Sequence, residues 1–382
     1  MKVQVNREIL HRAVDLAQGV VDSRNIRPIL QDIGIKTIDG GLELSGTNLD
    51  VGMKIIVNEG VNISEEGGVA IPANELVPIL RDSPDETLDI EVENVDSSIE
   101  QPDDEPLPSS YCRIQGLDSK YRIAGDNIQE FPQIESPPEE IGITIEAPIF
   151  AEMIKKTRYS AADEATRYAL NGVLFVALEG GKNIEMVGAD GRRLAWIKRK
   201  SDSDITSQMR AILSLKSLAQ MEKILANAED KVHIICSGRQ MWMTMGNITL
   251  TGQLVEGHYP NYEEVIPDDC DKKAVVNRDT MLSAVRRCNV VLTDDTYAVT
   301  MKFEPGKITV NSETAEKGSA VVELEAEYDG PATEVRFNPD YVRDFLRVSD
   351  DESVVVEFKE SARPAIWRNG RNYLCLVMPI TA

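Results

Sequence analysis

The residue types that carry most enzyme chemistry are few in this chain and poorly spaced for it. The chain has three histidines, which are His11, His233 and His258. None stands at metal-ligand spacing from another histidine or a cysteine. The acidic segment 268–271 (DDCD) could supply a cation site or the paired carboxylates of a hydrolase. Adjacent carboxylates cannot face each other across a cleft, and the segment follows Pro267, so we interpret it as a solvated linker. An acidic cytosolic hydrolase stays an alternative function.

Motifs for phosphate binding, dinucleotide binding and a nucleophilic serine are missing from the sequence. It contains no G-x-x-x-x-G-K-[ST], no G-x-G-x-x-G and no G-x-S-x-G. The cysteines are odd in number, scattered and without a C-x-x-C pair, and they are Cys112, Cys236, Cys270, Cys288 and Cys375. We therefore predict buried free thiols, no metal and no cofactor. This lack of catalytic equipment favours a binding or structural protein over an enzyme.

The overall charge is strongly acidic. The chain has 382 residues, with 41 lysines and arginines against 64 aspartates and glutamates, for a net charge of −23. This length suggests about two to four domains. Phosphate neutralisation supplies most of the affinity of a usual DNA-binding domain, so the charge argues against one unless the acidic residues are unevenly distributed. No apolar run approaches the ~18 residues of a membrane span and the N-terminus lacks a signal-peptide core, so we expect a cytoplasmic protein.

Three segments of the chain share one pattern, a pair of strands joined by a glycine-containing turn. Each alternates apolar and polar residues with a period of two on both sides of the turn, which is typical of a β-hairpin. Aligning Leu42, Ile184 and Ile308 gives offsets of 142 and 124 residues. The pattern therefore indicates an internal threefold repeat.

One helix is predicted before each hairpin and another after it. Asn6, Asn277 and Pro148 are typical helix-start residues and open the first helix of the three repeats. The predicted helices cover residues 6–20, 73–81, 148–160, 214–226, 278–290 and 339–348. The sequence thus predicts an α+β fold of three repeated domains, each with two helices packed on antiparallel sheets. The predicted domains cover residues 1–138, 139–268 and 269–382.

The charge is distributed unevenly between these helices and the remainder. The six predicted helices together carry a net charge of +5, which leaves −28 for the other residues. In the third repeat, Arg286 and Arg287 lie opposite the apolar face of the helix that contains Met281 and Val285. A mildly basic surface shared by all the helices favours one DNA-facing side on an otherwise acidic protein.

Several motifs resemble the bacterial β sliding clamp family of DNA polymerase III. Residues 167–175 (RYALNGVLF) and 189–195 (ADGRRLA) are similar to R-Y-x-L-N-G-x-L-F and T-D-G-H-R-L-A in the middle domain of that family. Residues 373–380 (YLCLVMPI) resemble the family's C-terminal ending, and 27–30 and 131–132 fit its first domain. The resemblance spans the whole chain. Residues 94–110, rich in acidic residues and proline, look like an insertion in a long hairpin loop.

The resemblance implies a ring of two subunits joined head to tail, with helices lining the hole and sheets forming the outer wall. Such a protein is a non-catalytic DNA sliding clamp, which encircles duplex DNA without reading its sequence and tethers the replicative polymerase for processive synthesis. It also recruits the clamp loader and repair polymerases through clamp-binding peptides, and it has no membrane partner. A ring held on DNA by topology needs no strong phosphate binding, which agrees with the acidic charge. A solute-binding repeat protein is the other alternative.

The resemblance also implies three sets of site residues. The residues expected to face DNA are Arg24, Lys155, Lys156, Lys216, Lys223, Arg286, Arg287, Arg343 and Arg347. The two sides of the homodimer contact are expected at Lys120, Tyr121, Arg122 and Ile123 and at Val291, Leu292, Glu313 and Glu316. A partner-peptide pocket is expected at Leu170, Ala189, Gly191, Arg193, Leu194, Pro260, Val265, Ala362, Pro364, Leu376 and Met378, with Asn338 and Tyr341 at its rim. Arg192 and Glu264 depart from the family pattern and are expected to alter the charged edge of this pocket.

Overall fold

The structure is a computed structural model that describes residues 1–95, 108–164, 168–201, 205, 208–293 and 297–381. All six predicted helices are confirmed to within a few residues at each end. They are α1 (Arg7–Gln18), α2 (Ala73–Asp82), α3 (Ala147–Thr157), α4 (Leu215–Leu225), α5 (Arg278–Asn289) and α6 (Pro339–Val348). Arg167 of the first family motif and residues 96–107 of the predicted insertion lie outside the described residues.

Strands make up most of the remaining regular structure. Those of the first repeat are β1 (Lys2–Asn6), β2 (Asp32–Ile38), β3 (Gly41–Thr47), β4 (Val51–Val57), β5 (Val61–Glu65), β6 (Gly68–Pro72), β7 (Thr87–Asn94), β8 (Ser110–Gln115) and β9 (Lys120–Gly125). Those of the second are β10 (Ile143–Glu146), β11 (Gly172–Ala177), β12 (Asn183–Ala189), β13 (Arg193–Lys200), β14 (Met209–Ser214), β15 (Lys231–Ser237), β16 (Gln240–Met245) and β17 (Ile248–Gln253). Those of the third are β18 (Lys272–Asn277), β19 (Val299–Glu304), β20 (Lys307–Thr314), β21 (Gly318–Glu325), β22 (Thr333–Phe337), β23 (Ser353–Phe358), β24 (Ala365–Arg368) and β25 (Tyr373–Val377).

The three predicted hairpins are confirmed as β2–β3, β11–β12 and β19–β20, each of which pairs antiparallel. Their turns contain Gly40, Gly180 and Gly306 with φ of +76°, +77° and +80°. Glycine adopts this left-handed conformation without the steric cost that a Cβ atom brings. The glycine in each repeat therefore allows the tight turn that brings the two strands into register.

Side-chain caps explain where three of the helices begin. The Asn6 side chain accepts a hydrogen bond from the Ile9 N–H at 3.1 Å, and Asn277 accepts one from Thr280 at 3.0 Å. Asn338 caps α6 in the same way. These bonds satisfy backbone donors that have no partner inside the helix.

The chain divides into two compact units. The first contains Met1–Thr144, Ala219–Ile224 and Ala228–Gln253, and the second contains Ile145–Leu218, Leu225–Asn227 and Leu254–Ala382. In the first unit, five strands form a sheet in the order β5-β1-β7-β8-β9, and eight form another in the order β10-β15-β16-β17-β4-β3-β2-β6. In the second unit, an eight-stranded sheet has the order β14-β11-β12-β13-β25-β24-β23-β18 and a four-stranded sheet has the order β21-β20-β19-β22.

Each eight-stranded sheet combines strands from two consecutive repeats. In the first unit β17 pairs with β4, and in the second β25 pairs with β13, both antiparallel. Backbone hydrogen bonds therefore continue from one repeat into the next. The compact units follow these sheets instead of the repeats, so the predicted domain boundaries after residues 138 and 268 stay a prediction.

The strands on either side of the predicted insertion pair with each other. β7 and β8 are antiparallel neighbours, and their register ends with Asn94 opposite Ser110. The stem of the predicted long hairpin is thus in place, although most of its loop lies outside the described residues. No helix within the described part of the chain is long and apolar enough to cross a membrane.

Asp32 is a buried carboxylic acid at the start of β2. Its side chain is only 3% exposed, and its Oδ2 atom has no hydrogen-bond partner among the described residues. Burial, the nearby Asp126 carboxylate and the hydrogen bond between the two raise the pKa of Asp32 from 3.8 to about 7. The folded protein therefore holds a proton there at a pH at which the unfolded chain has already released it.

Replacing Asp32 by asparagine is expected to stabilise the protein at alkaline pH. Because the folded-state pKa is raised, the contribution of Asp32 to the wild-type free energy of unfolding should fall as pH rises from about 4 to about 7 and then level off. The Asp32→Asn variant lacks this titration, so its stability advantage should grow over that window to a few kcal/mol. Denaturant unfolding at pH 5 and pH 8 measures the difference. The exposed Asp39, replaced by asparagine, is the control, and equal pH dependence in Asp32→Asn and wild type would contradict the assignment.

Candidate functional site

The second compact unit contains an apolar cavity of about 150 Å³ beside the start of β13. Its depth is formed by Leu170, Leu194 and Leu376, whose exposed fractions are 6%, 5% and 4%. The antiparallel pairing of β13 with β25 places Leu194 directly opposite Leu376. The same leucines pack with Tyr259 and Tyr262 in one buried cluster. The cavity is thus an opening in the core, and its deepest side chains belong to a buried cluster.

A tight turn between β12 and β13 shapes the mouth of this cavity. The Asp190 carboxylate accepts hydrogen bonds from the backbone N–H groups of Arg192 at 2.8 Å and Arg193 at 2.9 Å. Gly191 has a φ of +87°, a conformation that favours glycine. The Met378 N–H donates to the Arg192 carbonyl at 2.9 Å, which joins the C-terminal segment to the turn.

The segment 259–265 forms another wall and is fixed to β12 by two tyrosine hydroxyls. Tyr259 donates to a backbone carbonyl of β12 at 2.9 Å, and Tyr262 donates to Glu185 at 2.8 Å. Glu185 also accepts from Trp196 at 2.9 Å and pairs with Lys198 at 2.9 Å. Burial works to raise the pKa of Glu185, but these hydrogen bonds outweigh it and hold the pKa below its usual value. The wall is therefore anchored by an ionised carboxylate.

Arg193 links the cavity to α6. Its guanidinium donates to Asp190 at 3.0 Å, to Asp344 at 2.8 Å and to the Tyr159 carbonyl at 2.6 Å. It also lies 4.5 Å from the centroid of the Tyr341 ring. Burial works to lower the pKa of Arg193, but the hydrogen bond to Asp344 and the two carboxylate charges raise it overall. Arg193 is thus a fixed cation whose donors are engaged inside the protein.

Nine predicted pocket residues line this cavity, and they are Leu170, Ala189, Gly191, Arg193, Leu194, Pro260, Val265, Leu376 and Met378. Asn338, Tyr341, Ala362 and Pro364 are not among the described residues that line it. Asn338 caps α6 and Tyr341 contacts Arg193, while Ala362 and Pro364 lie between β23 and β24. The role of the whole set in peptide binding stays a prediction.

Tyr259, Asn261 and Tyr262 also line the cavity, and none of them belongs to the predicted pocket. One signal was available, because the aromatic-proline pair at 259–260 repeats the pair at 131–132. A repeated short motif at equivalent positions indicates a segment with the same packing role in two repeats. Arg192, expected only as a departure from the family pattern, also lines the mouth.

Lys156 does not belong to the predicted DNA-facing set. Its side chain is buried, with Nζ 2.6 Å from Glu152 and 2.5 Å from Asp350, and it lies 5.1 Å from the centroid of the Tyr373 ring. A buried lysine keeps its charge only when carboxylates accompany it. The prediction that Lys156 faces DNA is wrong because two acidic partners hold it inside the second unit.

The other predicted DNA-facing residues are more accessible. The exposed ones are Arg24, Lys155, Lys216, Lys223, Arg286, Arg287 and Arg347. Arg343 is half-buried and forms an ion pair with Asp340 one helical turn earlier. Arg286 and Arg287 stand next to each other on the solvent side of α5, close to the exposed Val290. Their contact with DNA stays a prediction.

The predicted subunit contact falls on an edge strand on one side only, because Val291 and Leu292 follow α5, Glu313 is on the interior strand β20 and Glu316 precedes β21. β9, which contains Lys120, Tyr121 and Arg122, ends the five-stranded sheet, and β21 ends the four-stranded sheet. Tyr121 is 38% exposed and Arg122 stacks 3.2 Å from the centroid of the Tyr111 ring. Edge strands present unpaired backbone groups that can pair with another chain.

Two predicted contact residues cannot serve as exposed contact surface. Ile123 is 5% exposed and Leu292 is 4% exposed, because each packs into the interior of its own unit. Val291 is half-buried, whereas Glu313 and Glu316 are exposed. Val321, which is not among the predicted contact residues, is 65% exposed on β21 and is the clearer apolar candidate on that edge.

The acidic segment 268–271 lacks the arrangement that a hydrolase needs. Asp269 pairs with Lys359 at 2.9 Å and with Arg363 at 2.7 Å. The hydrogen bonds from Arg363 and Lys359 lower the pKa of Asp269 to about 2. A carboxylate that stays ionised and paired is a poor proton donor, so Asp269 is poorly suited to act as a general acid.

Comparison with known proteins identifies the family whose motifs the sequence resembles. Three models of the DNA polymerase III beta subunit match the chain. The N-terminal domain model matches residues 1–135, the central domain model 144–261 and the C-terminal domain model 263–380. Among curated relatives, the beta sliding clamp of Caulobacter vibrioides is 29% identical over 368 residues, covering 96% of this chain and 95% of that protein. That of Pseudomonas aeruginosa is 27% identical and covers 97% of each.

Solved structures agree in fold. A DNA polymerase sliding clamp from Bacillus subtilis superposes with a TM-score of 0.92 at 24% identity, covering 100% of this chain and 99% of that one. A sliding clamp from Bartonella birtlesii, bound to griselimycin, gives 0.90 at 26% identity and covers 100% of each. The order of helices and strands described above is therefore shared with these structures over the full length.

Proposed function

We propose, on the premise that the chain belongs to the bacterial DNA polymerase III beta subunit family, that two copies close head to tail into a ring around duplex DNA. The chain is a sliding clamp of three clamp-fold domains, a processivity factor and not a catalytic subunit. The observation that carries the proposal is the match to all three domain models in their natural order. The role places the protein in the cytoplasm.

Ring closure is supported by the two edge strands. β9 and β21 each end a sheet, and each carries an exposed apolar side chain, Tyr121 on one and Val321 on the other. Pairing of these edges would continue a sheet from one subunit into the next, and the two apolar side chains would leave water together. Because the contact joins two different surfaces, it is heterologous and closes only at a suitable rotation. Two identical contacts complete a two-subunit ring.

The distribution of charge supports loose contact with DNA. The chain carries −23 overall, while exposed lysines and arginines such as Lys155, Arg286 and Arg287 lie on the helices. Weak cationic contacts can follow the phosphate backbone without reading bases. An acidic remainder discourages DNA from binding elsewhere on the surface. Such a protein stays on DNA because the closed ring surrounds the duplex, and not because it binds the duplex tightly.

The cavity beside β13 supports capture of short peptides from the replicative polymerase, the clamp loader and repair polymerases. Its depth is apolar and fixed, which suits a leucine or phenylalanine anchor. Met378 at its mouth is 40% exposed and has a flexible side chain that adapts to different partners. One cavity of this kind in each subunit would let the ring hold two partners.

Retention on DNA tests the proposal directly. After loading, the protein should stay on nicked circular DNA through washing with high salt, because a closed ring cannot leave a circle. It should slide off once the circle is cut, although the sequence and charge of the DNA are unchanged. Gel filtration of each reaction measures retention. Equal retention on circular and linear DNA would reject topological binding. Loss of the protein from both DNAs at high salt would show that it binds DNA through charge alone.

A further inference from the structure

The mouth of the cavity in the second unit carries two charges of opposite sign on different elements. Arg192 lies on the β12–β13 turn and lines the cavity directly. Glu264 lies on the segment that forms the other wall, between the lining residues Tyr262 and Val265. The cavity between them is lined mainly by apolar side chains. An apolar anchor that enters the cavity would therefore meet a cation carried by the β12–β13 turn and an anion carried by the segment 259–265.

Arg192 is available to a ligand, whereas its neighbour Arg193 is not. Arg193 is engaged with Asp190, Asp344 and the Tyr159 carbonyl. The turn uses only the backbone of Arg192, whose N–H donates to Asp190 and whose carbonyl accepts from Met378. Within the described residues, the Arg192 guanidinium is exposed and makes no ion pair.

Glu264 is held in place by a lining residue. The Asn261 side-chain amide donates to the Glu264 carboxylate at 2.8 Å, and Asn261 itself lines the cavity. Glu264 is exposed and makes no ion pair within the described part of the chain. One of its oxygens is oriented by Asn261, and the carboxylate retains accepting capacity for a cationic donor. The anion therefore has a defined position beside the apolar mouth.

We infer that this cavity selects extended peptides in which the apolar anchor is flanked by an acidic residue on the Arg192 side and a basic residue on the Glu264 side. The inference rests on the proposed function, because it concerns which peptides the same cavity accepts. Charges at the rim of a binding site contribute modestly to affinity but decide between partners and between orientations. The anchor supplies most of the binding, and the two charges fix the direction in which the peptide runs.

Two isomeric peptides isolate this effect. Both carry the same Leu-Phe anchor with two glutamates on one side and two lysines on the other, in opposite orders, and a third peptide has glutamine on both sides. The isomers have the same net charge, so the repulsive or attractive field of a protein of charge −23 acts equally on both. Fluorescence anisotropy should show that one isomer binds about three- to tenfold more tightly than the other at low salt. The ratio of their dissociation constants should become smaller at high salt.

Exchanging the two charges should reverse the preference. The Arg192→Glu, Glu264→Arg double variant should bind the isomer that wild type disfavours more tightly than the other isomer, by a similar factor. Glu263→Lys and Lys200→Glu change the charge of exposed residues that do not line the cavity and that, unlike Glu264, accept no hydrogen bond from Asn261, so they should keep the wild-type order.

The possible results separate peptide capture by the cavity from its selection of the charges that flank the anchor. If wild type binds the glutamine peptide but does not distinguish the isomers, charge selection is wrong and the peptide cavity stands. The same conclusion follows if the double variant keeps the wild-type order. If wild type binds none of the three peptides, peptide capture by the cavity and charge selection are both wrong, whereas the proposed ring is tested separately by retention on DNA.

Discussion

Replacing either Tyr121 or Val321 by aspartate is expected to convert the dimer into monomers. Both side chains are exposed on edge strands, at 38% and 65%, so neither substitution removes packing from the interior of its unit. Losing the burial of a large apolar side chain costs about 1.5–3 kcal/mol at each contact. The ring has two such contacts, so the loss doubles and the dissociation constant should rise by roughly 10² to 10⁴. Sedimentation equilibrium over a range of concentrations measures the change.

A matched control separates this effect from a general response to a new surface charge. Leu178 is 57% exposed, follows β11 and lies on neither edge strand, so Leu178→Asp should remain a dimer. Leu292 is an unsuitable target, because its side chain is 4% exposed and an aspartate there would test folding instead. Unchanged dimers of both edge-strand variants, at concentrations where wild type begins to dissociate, would place the subunit contact elsewhere.

Replacing Met378 by aspartate is expected to weaken binding of partner peptides by roughly ten- to a hundredfold. Met378 lines the mouth of the cavity and is 40% exposed, so the change should be tolerated by the fold. A bound peptide would cover the new carboxylate beside apolar side chains, where an unpaired charge is costly, and would lose the contact with the methionine. Isothermal titration with a Gln-x-x-Leu-Phe peptide measures the loss, and the heat capacity change reports the apolar area that is buried.

The same Leu178→Asp variant serves as the control for this measurement, since Leu178 does not line the cavity. Thermal melting should give similar midpoints for wild type and both variants. Equal peptide affinity of wild type and Met378→Asp would place the peptide site elsewhere on the protein. The charge-exchange variants of Arg192 and Glu264 alter only the direction of preference, so the two experiments report on separate properties of one cavity.

The sequence predicted the helices and hairpins well because their signals are local. Asn6 and Asn277 cap helices that begin on the next residue, and the glycines of the three hairpin turns have the positive φ that such turns require. The family motifs also led to most of the cavity, because residues 193–195 and 373–377 lie on neighbouring strands. Helix caps and turn glycines act through residues that are close in the sequence, so they can be predicted without knowledge of the rest of the chain.

The failures share a different cause, since they depend on partners distant in the sequence. Lys156 was counted as a surface cation because its own helix gives no sign of Asp350 or Tyr373, which hold it inside the protein. Leu292 is buried as well, and its carbonyl accepts a hydrogen bond at 2.7 Å from Lys317, which lies 25 residues later in the chain. Pairing of β17 with β4 leaves no periodic signal in either strand. Long-range contacts of this kind are fixed by packing and not by local preference.

The pairing of strands from consecutive repeats limits how the chain can be shortened. A fragment that stops after the first repeat would leave one side of β4 without the hydrogen bonds that β17 supplies, and an uncovered strand readily joins other chains. Helix α4 contributes residues to both compact units, so no single break in the backbone separates the two. The repeats visible in the sequence are therefore poor modules for transplantation. During synthesis, a growing chain would expose this uncovered strand to other chains until the strands of the following repeat were made.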